Sequence, residues 1–141
     1  MNDKYFLKIA IEEAKKSRDK DNYYVGAVIV KNGLIISEAY GDENNENGHA
    51  EELAIKNSKE NVSGATMYIT MEPCSLRPSG KVPCSELIIN SGIKKVVYGA
   101  RDPQVSVKCN GIERLLKAGI EVIHLEELEK ACKEITPSLF N

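Results

Sequence analysis

The apolar positions of this chain switch between two rhythms. Leu7, Ala10, Ile11 and Ala14 recur at helical spacing, which predicts an amphipathic helix over residues 4–17. A continuous apolar run from Val25 to Val30 and a second, largely apolar one from Leu34 to Ala39 predict two strands. Asn32-Gly33 between them suits a type I′ turn, so the pair reads as a hairpin. Residues 41–48 are polar and rich in turn formers, hence a loop. His49 to Lys56 reads as a helix with His49 in its first turn, and Thr66 to Thr70 as a strand. A long loop follows from Met71 to Pro83. Pro83 suits the start of a helix, so Cys84 to Ser91 reads as a helix beginning at a cysteine, and Gly92 stops it. Lys95 to Tyr98 and Glu121 to Leu125 are the remaining strands; residues 110–118 and 126–134 are the remaining helices.

After the first hairpin, strands alternate with helices, which predicts parallel pairing among the later strands. The expected fold is α/β: a three-layer α-β-α sandwich around a five-stranded mixed sheet. The 141 residues fit one domain, taken here as 1–141. A chain of this size buries roughly 70% of its unfolded surface and needs no disulfides to hold a core.

Charge and composition narrow the partners. The net charge of −2 argues against a general nucleic-acid binder, which carries a basic face. No stretch approaches the ~18 apolar residues of a membrane span, and the N-terminus does not read as a signal peptide. The expectation is therefore a cytoplasmic protein with neither a membrane nor a nucleic acid as partner. In a reducing compartment, Cys74, Cys84, Cys109 and Cys132 point to metal or catalysis before disulfides.

Three pieces carry the chemistry: His49-Ala50-Glu51, Pro73-Cys74 and Pro83-Cys84. Zinc accepts neutral imidazole and thiolates, and a catalytic site keeps three protein ligands with the fourth position open. His49, Cys74 and Cys84 meet that count. A helix N-terminus at Cys84 favours a thiolate over a thiol. Glu51, two residues after His49, can lie beside the metal rather than on it, where it would exchange protons with water and substrate as general acid and base. His-x-Glu and Pro-Cys are each weak signals, but in this order they make the signature of zinc deaminases. The spacing departs from the usual form: nine residues lie between Cys74 and Cys84 instead of two.

The stretch Thr70-Met71-Glu72-Pro73-Cys74-Ser75, followed by Gly80-Lys81-Val82-Pro83-Cys84, resembles the deaminases of riboflavin biosynthesis, members of the cytidine deaminase superfamily with such a long loop. Asn22 with Val25-Gly26-Ala27-Val28, then His49-Ala50-Glu51, Arg101-Asp102-Pro103 and Ala118-Gly119-Ile120-Glu121-Val122 extend the similarity over nearly the whole chain. The resemblance implies a cytidine deaminase-like fold and one zinc ion per chain. It implies a small-molecule substrate, a ribosylaminopyrimidine 5′-phosphate, which loses a ring amino group as ammonia. It places Asn22, Lys81, Asp102 and Gln104 at substrate-contacting positions.

This chain departs from bacterial members at Leu76, where they carry histidine, and at Gln104, where they carry asparagine. Leu76 to Gly80 and Val107 to Gly111 look more like the fungal type, and Arg77 then replaces the lost polar contact. The resemblance further implies a homodimer. Bacterial members carry a reductase domain after the deaminase; here a stand-alone deaminase is expected, with a separate reductase as a possible pathway partner.

Two other functions compete. One is a deaminase of another base: cytidine, deoxycytidylate, guanine, or a base in tRNA or single-stranded DNA. The other is a structural zinc protein, in which Cys109 or Cys132 supplies a fourth ligand. The plainer readings are inert packing for Cys109 and Cys132, a structural role for His124, a solvated helix position for Glu52, solvated loop cations for Arg77 and Lys81, and a turn residue for Asp102.

Overall fold

A computed structural model describes residues 2–19, 23–45, 48–77, 80–103, 110–137 and 140. Helix α1 (Asp3–Ala14) leads into the hairpin β1 (Gly26–Lys31) and β2 (Leu34–Tyr40). Helix α2 (Ala50–Lys56), β3 (Thr66–Met71), α3 (Cys84–Ser91), β4 (Lys95–Ala100), α4 (Gly111–Lys117) and β5 (Glu121–His124) follow, then a 3-10 turn (Glu126–Leu128) and α5 (Glu129–Ile135). The five strands form one sheet in the order β2-β1-β3-β4-β5. β1 runs antiparallel to β2 and β3, whereas β3, β4 and β5 are parallel, as the alternation of elements predicts.

The hairpin turn has the predicted chemistry. Asn32 (φ 53°) and Gly33 (φ 78°) both take positive φ, as a type I′ turn requires. Helix α1 packs on β1 and β3 and meets α5, while α2 packs on β1 and β2 and meets α3; α4 meets α3 and packs on β5. Covered on both faces, β3 is buried along its whole length, and so is β1 except at its last residue. Gly26 marks the closest approach: a Cβ there would overlap the Ala10 carbonyl oxygen of α1.

Two boundaries differ from expectation for physical reasons. The first helix ends at Ala14 rather than residue 17, because Arg18 turns away to exchange backbone hydrogen bonds with Gly41 and Glu43. His49 is the N-cap of α2 (ψ 141°) and not part of its first turn. Helix α3 begins at Cys84 and ends at Ser91 as predicted, with Pro83 capping it in extended backbone (ψ 150°). Gly92 ends α3 in the left-handed region, at φ 85°.

Candidate metal centre and active site

The parallel strand β3 delivers its C-terminal end to the site. The chain leaves β3 through Glu72 and Pro73 to Cys74, and the loop after Cys74 returns to the N-terminus of α3 at Cys84. The capping position of α2 brings His49 to the same place. His49 Nδ1 lies 3.3 Å from Cys84 Sγ and 3.7 Å from Cys74 Sγ. All three donor atoms fall within 4.8 Å of one another. Donors about 2.0–2.3 Å from a tetrahedral zinc stand roughly 3.5–3.8 Å apart, so this set fits the ion. One nitrogen and two sulfurs is also the donor chemistry zinc prefers. Among the described residues this is the one such group; Cys132 is buried elsewhere, beneath Gly99, and Cys109 lies outside the described residues.

Two sulfurs so close cannot both carry charge without a cation. The Cys84 backbone N–H donates to Cys74 Sγ at 3.2 Å, and the Ser85 N–H to the Cys74 carbonyl at 3.0 Å. The hydrogen bond shared with Cys84, helped by His49, lowers the Cys74 thiol to about 4, against the opposing effect of burial. The same shared bond, with burial and the nearby Glu51 charge, raises Cys84 well above its ordinary value. The shared bond thus favours the thiolate at Cys74, whose hydrogen bond raises the His49 imidazole. A bound divalent cation reverses this logic at Cys84 by displacing the proton.

Glu51, on the first turn of α2, is 4% exposed. Burial pushes its carboxyl up to about 7, with the His49 charge opposing. That value suits a group that both accepts and returns protons near neutral pH. A cavity of about 320 Å³ opens over these side chains. It is lined by His49, Glu51 and Cys74 together with Tyr23, Glu72, Arg77 and Lys81, and by the carboxylates Asp19, Asp42 and Glu43.

The remaining expected site residues divide. Lys81 is exposed and lines the cavity. Asp102 accepts a hydrogen bond from the Tyr23 hydroxyl at 3.1 Å, which ties it to a cavity-lining residue. Asn22 and Gln104 lie outside the described residues. Arg77 lines the cavity but is 7% exposed, and its Nη1 already donates to Glu52 Oε1 at 2.9 Å and to the Val82 carbonyl at 3.1 Å. Glu52 is consequently not the solvated helix position expected of it: it is buried, with Arg77 as its counter-ion. His124 has a structural part, its Nε2 placed 3.0 Å from the Gly99 carbonyl and 2.9 Å from Glu129, its ring stacked on Tyr98.

Glu72 is a residue that the sequence reading passed over. Its side chain is fully buried. Oε1 accepts from Arg101 Nε and the Asp102 N–H, while Oε2 accepts from Arg101 Nη2 and the Ile112 N–H, all at 3.1–3.3 Å. One carboxylate therefore joins the end of β3, the Arg101-Asp102 turn and the start of α4. A signal was available: an acidic residue stands directly between an uncharged strand and Pro73-Cys74, where a solvated carboxylate has no place.

A family model described as the cytidine and deoxycytidylate deaminase zinc-binding region matches residues 1–100. The chain belongs to this deaminase family, and its sheet and covering helices are cytidine deaminase-like. Within the family, a diaminohydroxyphosphoribosylamino-pyrimidine deaminase of Schizosaccharomyces pombe is 46% identical over 137 residues, 93% of this chain. The chain spans only 34% of that relative's length. The protein of the same name from Buchnera aphidicola subsp. Acyrthosiphon pisum is 38% identical over 143 residues, covering 99% of this chain and 95% of its own length. A Thermotoga maritima structure titled as a diaminohydroxyphosphoribosylaminopyrimidine deaminase/5-amino-6-(5-phosphoribosylamino)uracil reductase superposes with a TM-score of 0.88 at 42% identity, covering 98% of this chain and 40% of that one.

Replacing Glu72 by Ala should lower the unfolding free energy by about 2–4 kcal/mol, because it leaves the Asp102 and Ile112 N–H groups without their acceptor, while Arg101 keeps its bonds to Glu113. Urea denaturation checks this; a loss under about 1 kcal/mol would contradict the role of Glu72 as the link between these segments.

Proposed function

We propose that the chain is a zinc-dependent hydrolytic deaminase of a ribosylaminopyrimidine 5′-phosphate in riboflavin biosynthesis. The observation that carries the reading is the buried Glu51 carboxyl beside the His49, Cys74 and Cys84 donors, with Glu51, His49 and Cys74 lining one cavity of nucleotide size. The names of the relatives in S. pombe and Buchnera supply the substrate class.

His49, Cys74 and Cys84 hold the zinc. When bound, zinc supplies a Lewis acid and lowers the pKa of water toward ~7. Glu51 takes a proton from the attacking water as the new carbon–oxygen bond forms, and passes it to the adjacent ring nitrogen. It then moves the proton of the newly formed hydroxyl to the amino group, the carbon–nitrogen bond breaks, and ammonia leaves as that oxygen becomes the carbonyl. Lys81 faces the 5′-phosphate, and Asn22, Asp102 and Gln104 hold the ribose and ring polar groups. Arg77 lines the pocket, with its charge balanced by Glu52. The cation of Lys81 then stands against a rim of carboxylates, which favours a substrate with one phosphate over a polynucleotide. The protein acts in the cytoplasm as a homodimer, and a reductase consumes its product.

Glu51→Gln should retain the fold and one zinc per chain yet lose at least about 10²-fold in kcat. Zinc analysis and steady-state ammonia release check this, and retention of more than a few per cent of turnover would remove the general acid/base role. Lys81→Ala should raise KM for the phosphorylated pyrimidine by about ten-fold or more while leaving its dephosphorylated form unaffected. Equal losses on the two substrates would remove the phosphate role.

A further inference from the structure

A loop with nine residues between two cysteines does not by itself hold two sulfurs around one ion, because loops of that length have many conformations. Arg77 follows Cys74 by three residues, and Val82 precedes Cys84 by two. Arg77 Nη1 donates to the Val82 carbonyl at 3.1 Å, pinching the two arms of the loop together. The same nitrogen donates to Glu52 Oε1 at 2.9 Å. Glu52 sits on α2, next to Glu51 and three residues after His49. One guanidinium nitrogen therefore ties together the three segments that supply the metal donors. Both partners are buried, Arg77 at 7% and Glu52 at 8% exposure.

We propose that the Arg77–Glu52 pair is a positioning brace for the metal centre, holding the loop between the cysteines so that both sulfurs face His49 Nδ1 before a metal arrives. This rests on the reading that His49, Cys74 and Cys84 hold zinc. A buried ion pair costs much of its attraction in desolvation, so its value lies in fixing one arrangement rather than in net stability. The preorganised loop lowers the ordering cost of binding. The planar, rigid fork of arginine suits a two-acceptor joint; lysine is a compact point charge on a flexible stem.

The test uses the full chain as wild type, Arg77→Lys, Glu52→Gln and the double variant. Lys56→Ala is the control, since Lys56 reaches Glu52 Oε2 at 3.7 Å from the same helix. Zinc affinity is measured by competition with a chromogenic chelator, together with the Tm of the metal-free protein. Each single variant should weaken zinc binding by about ten-fold or more. The double variant should lose no more than the worse single one, and Lys56→Ala should match wild type. Arg77→Lys keeps charge and bulk, so it carries the test should Glu52→Gln not fold. Zinc affinities of Arg77→Lys and Glu52→Gln within about two-fold of wild type would overturn the brace. So would a rise in KM confined to a phosphorylated pyrimidine at unchanged zinc affinity, which would return Arg77 to substrate contact. Wild-type protein that binds no zinc would overturn the metal reading itself and the brace with it, an outcome distinct from variants that merely match a zinc-binding wild type.

Discussion

His49 Nδ1 and two sulfurs have to occupy one coordination sphere, although thirty-five residues separate the first donor from the last. That constraint explains much of the architecture. Each donor sits where the backbone is already fixed by something else: His49 at the cap of α2, Cys74 just past the end of a buried central strand, Cys84 at the first position of α3. The Cys84 N–H then points at Cys74 Sγ, so the helix start that positions one sulfur also stabilises the charge on the other. The sheet provides the rigidity, since β3 is buried throughout and hydrogen-bonded on both sides.

Around that centre, buried charges are paired across segments that lie far apart in the chain. Glu72 binds the Arg101-Asp102 turn and the first turn of α4, and Arg77 binds α2 to both arms of the cysteine loop. Glu51 differs from the carboxylates of both pairs. It is equally buried, but among the described residues no arginine or lysine is bonded to it as Arg101 and Arg77 are to their carboxylates, and burial raises its carboxyl pKa to about 7. A carboxyl group in this condition adds little to stability and is well placed to move protons.

Local signals made much of this legible in the sequence. Asn32-Gly33 announces its turn because few residues take positive φ, and Gly92 stops α3 for the same reason. The apolar run of β1 reads as a strand, and it is continuous because both sheet faces are covered there. The donor set was readable from His49, Cys74 and Cys84 together with their prolines and helix starts. What could not be read were the partners that only the folded chain brings together. Glu52 looks like any helix-surface glutamate until Arg77, twenty-five residues away, is folded against it. The end of α1 depends likewise on the pairing of Arg18 with residues 41–43, which no local propensity encodes. Glu72 was the one missed residue with a visible local clue, a charge wedged between an apolar strand and a proline.

The most direct measurement is ammonia release by the zinc-loaded protein from a panel of substrates. The panel holds the diaminohydroxy-ribosylaminopyrimidine phosphate, cytidine, deoxycytidylate, guanine and a short deoxycytidine-containing oligonucleotide. The account predicts release from the ribosylaminopyrimidine phosphate alone. Release from another member of the panel and not from this one would contradict the substrate. Release from none would contradict the assignment of this buried carboxyl and its three metal donors to deamination.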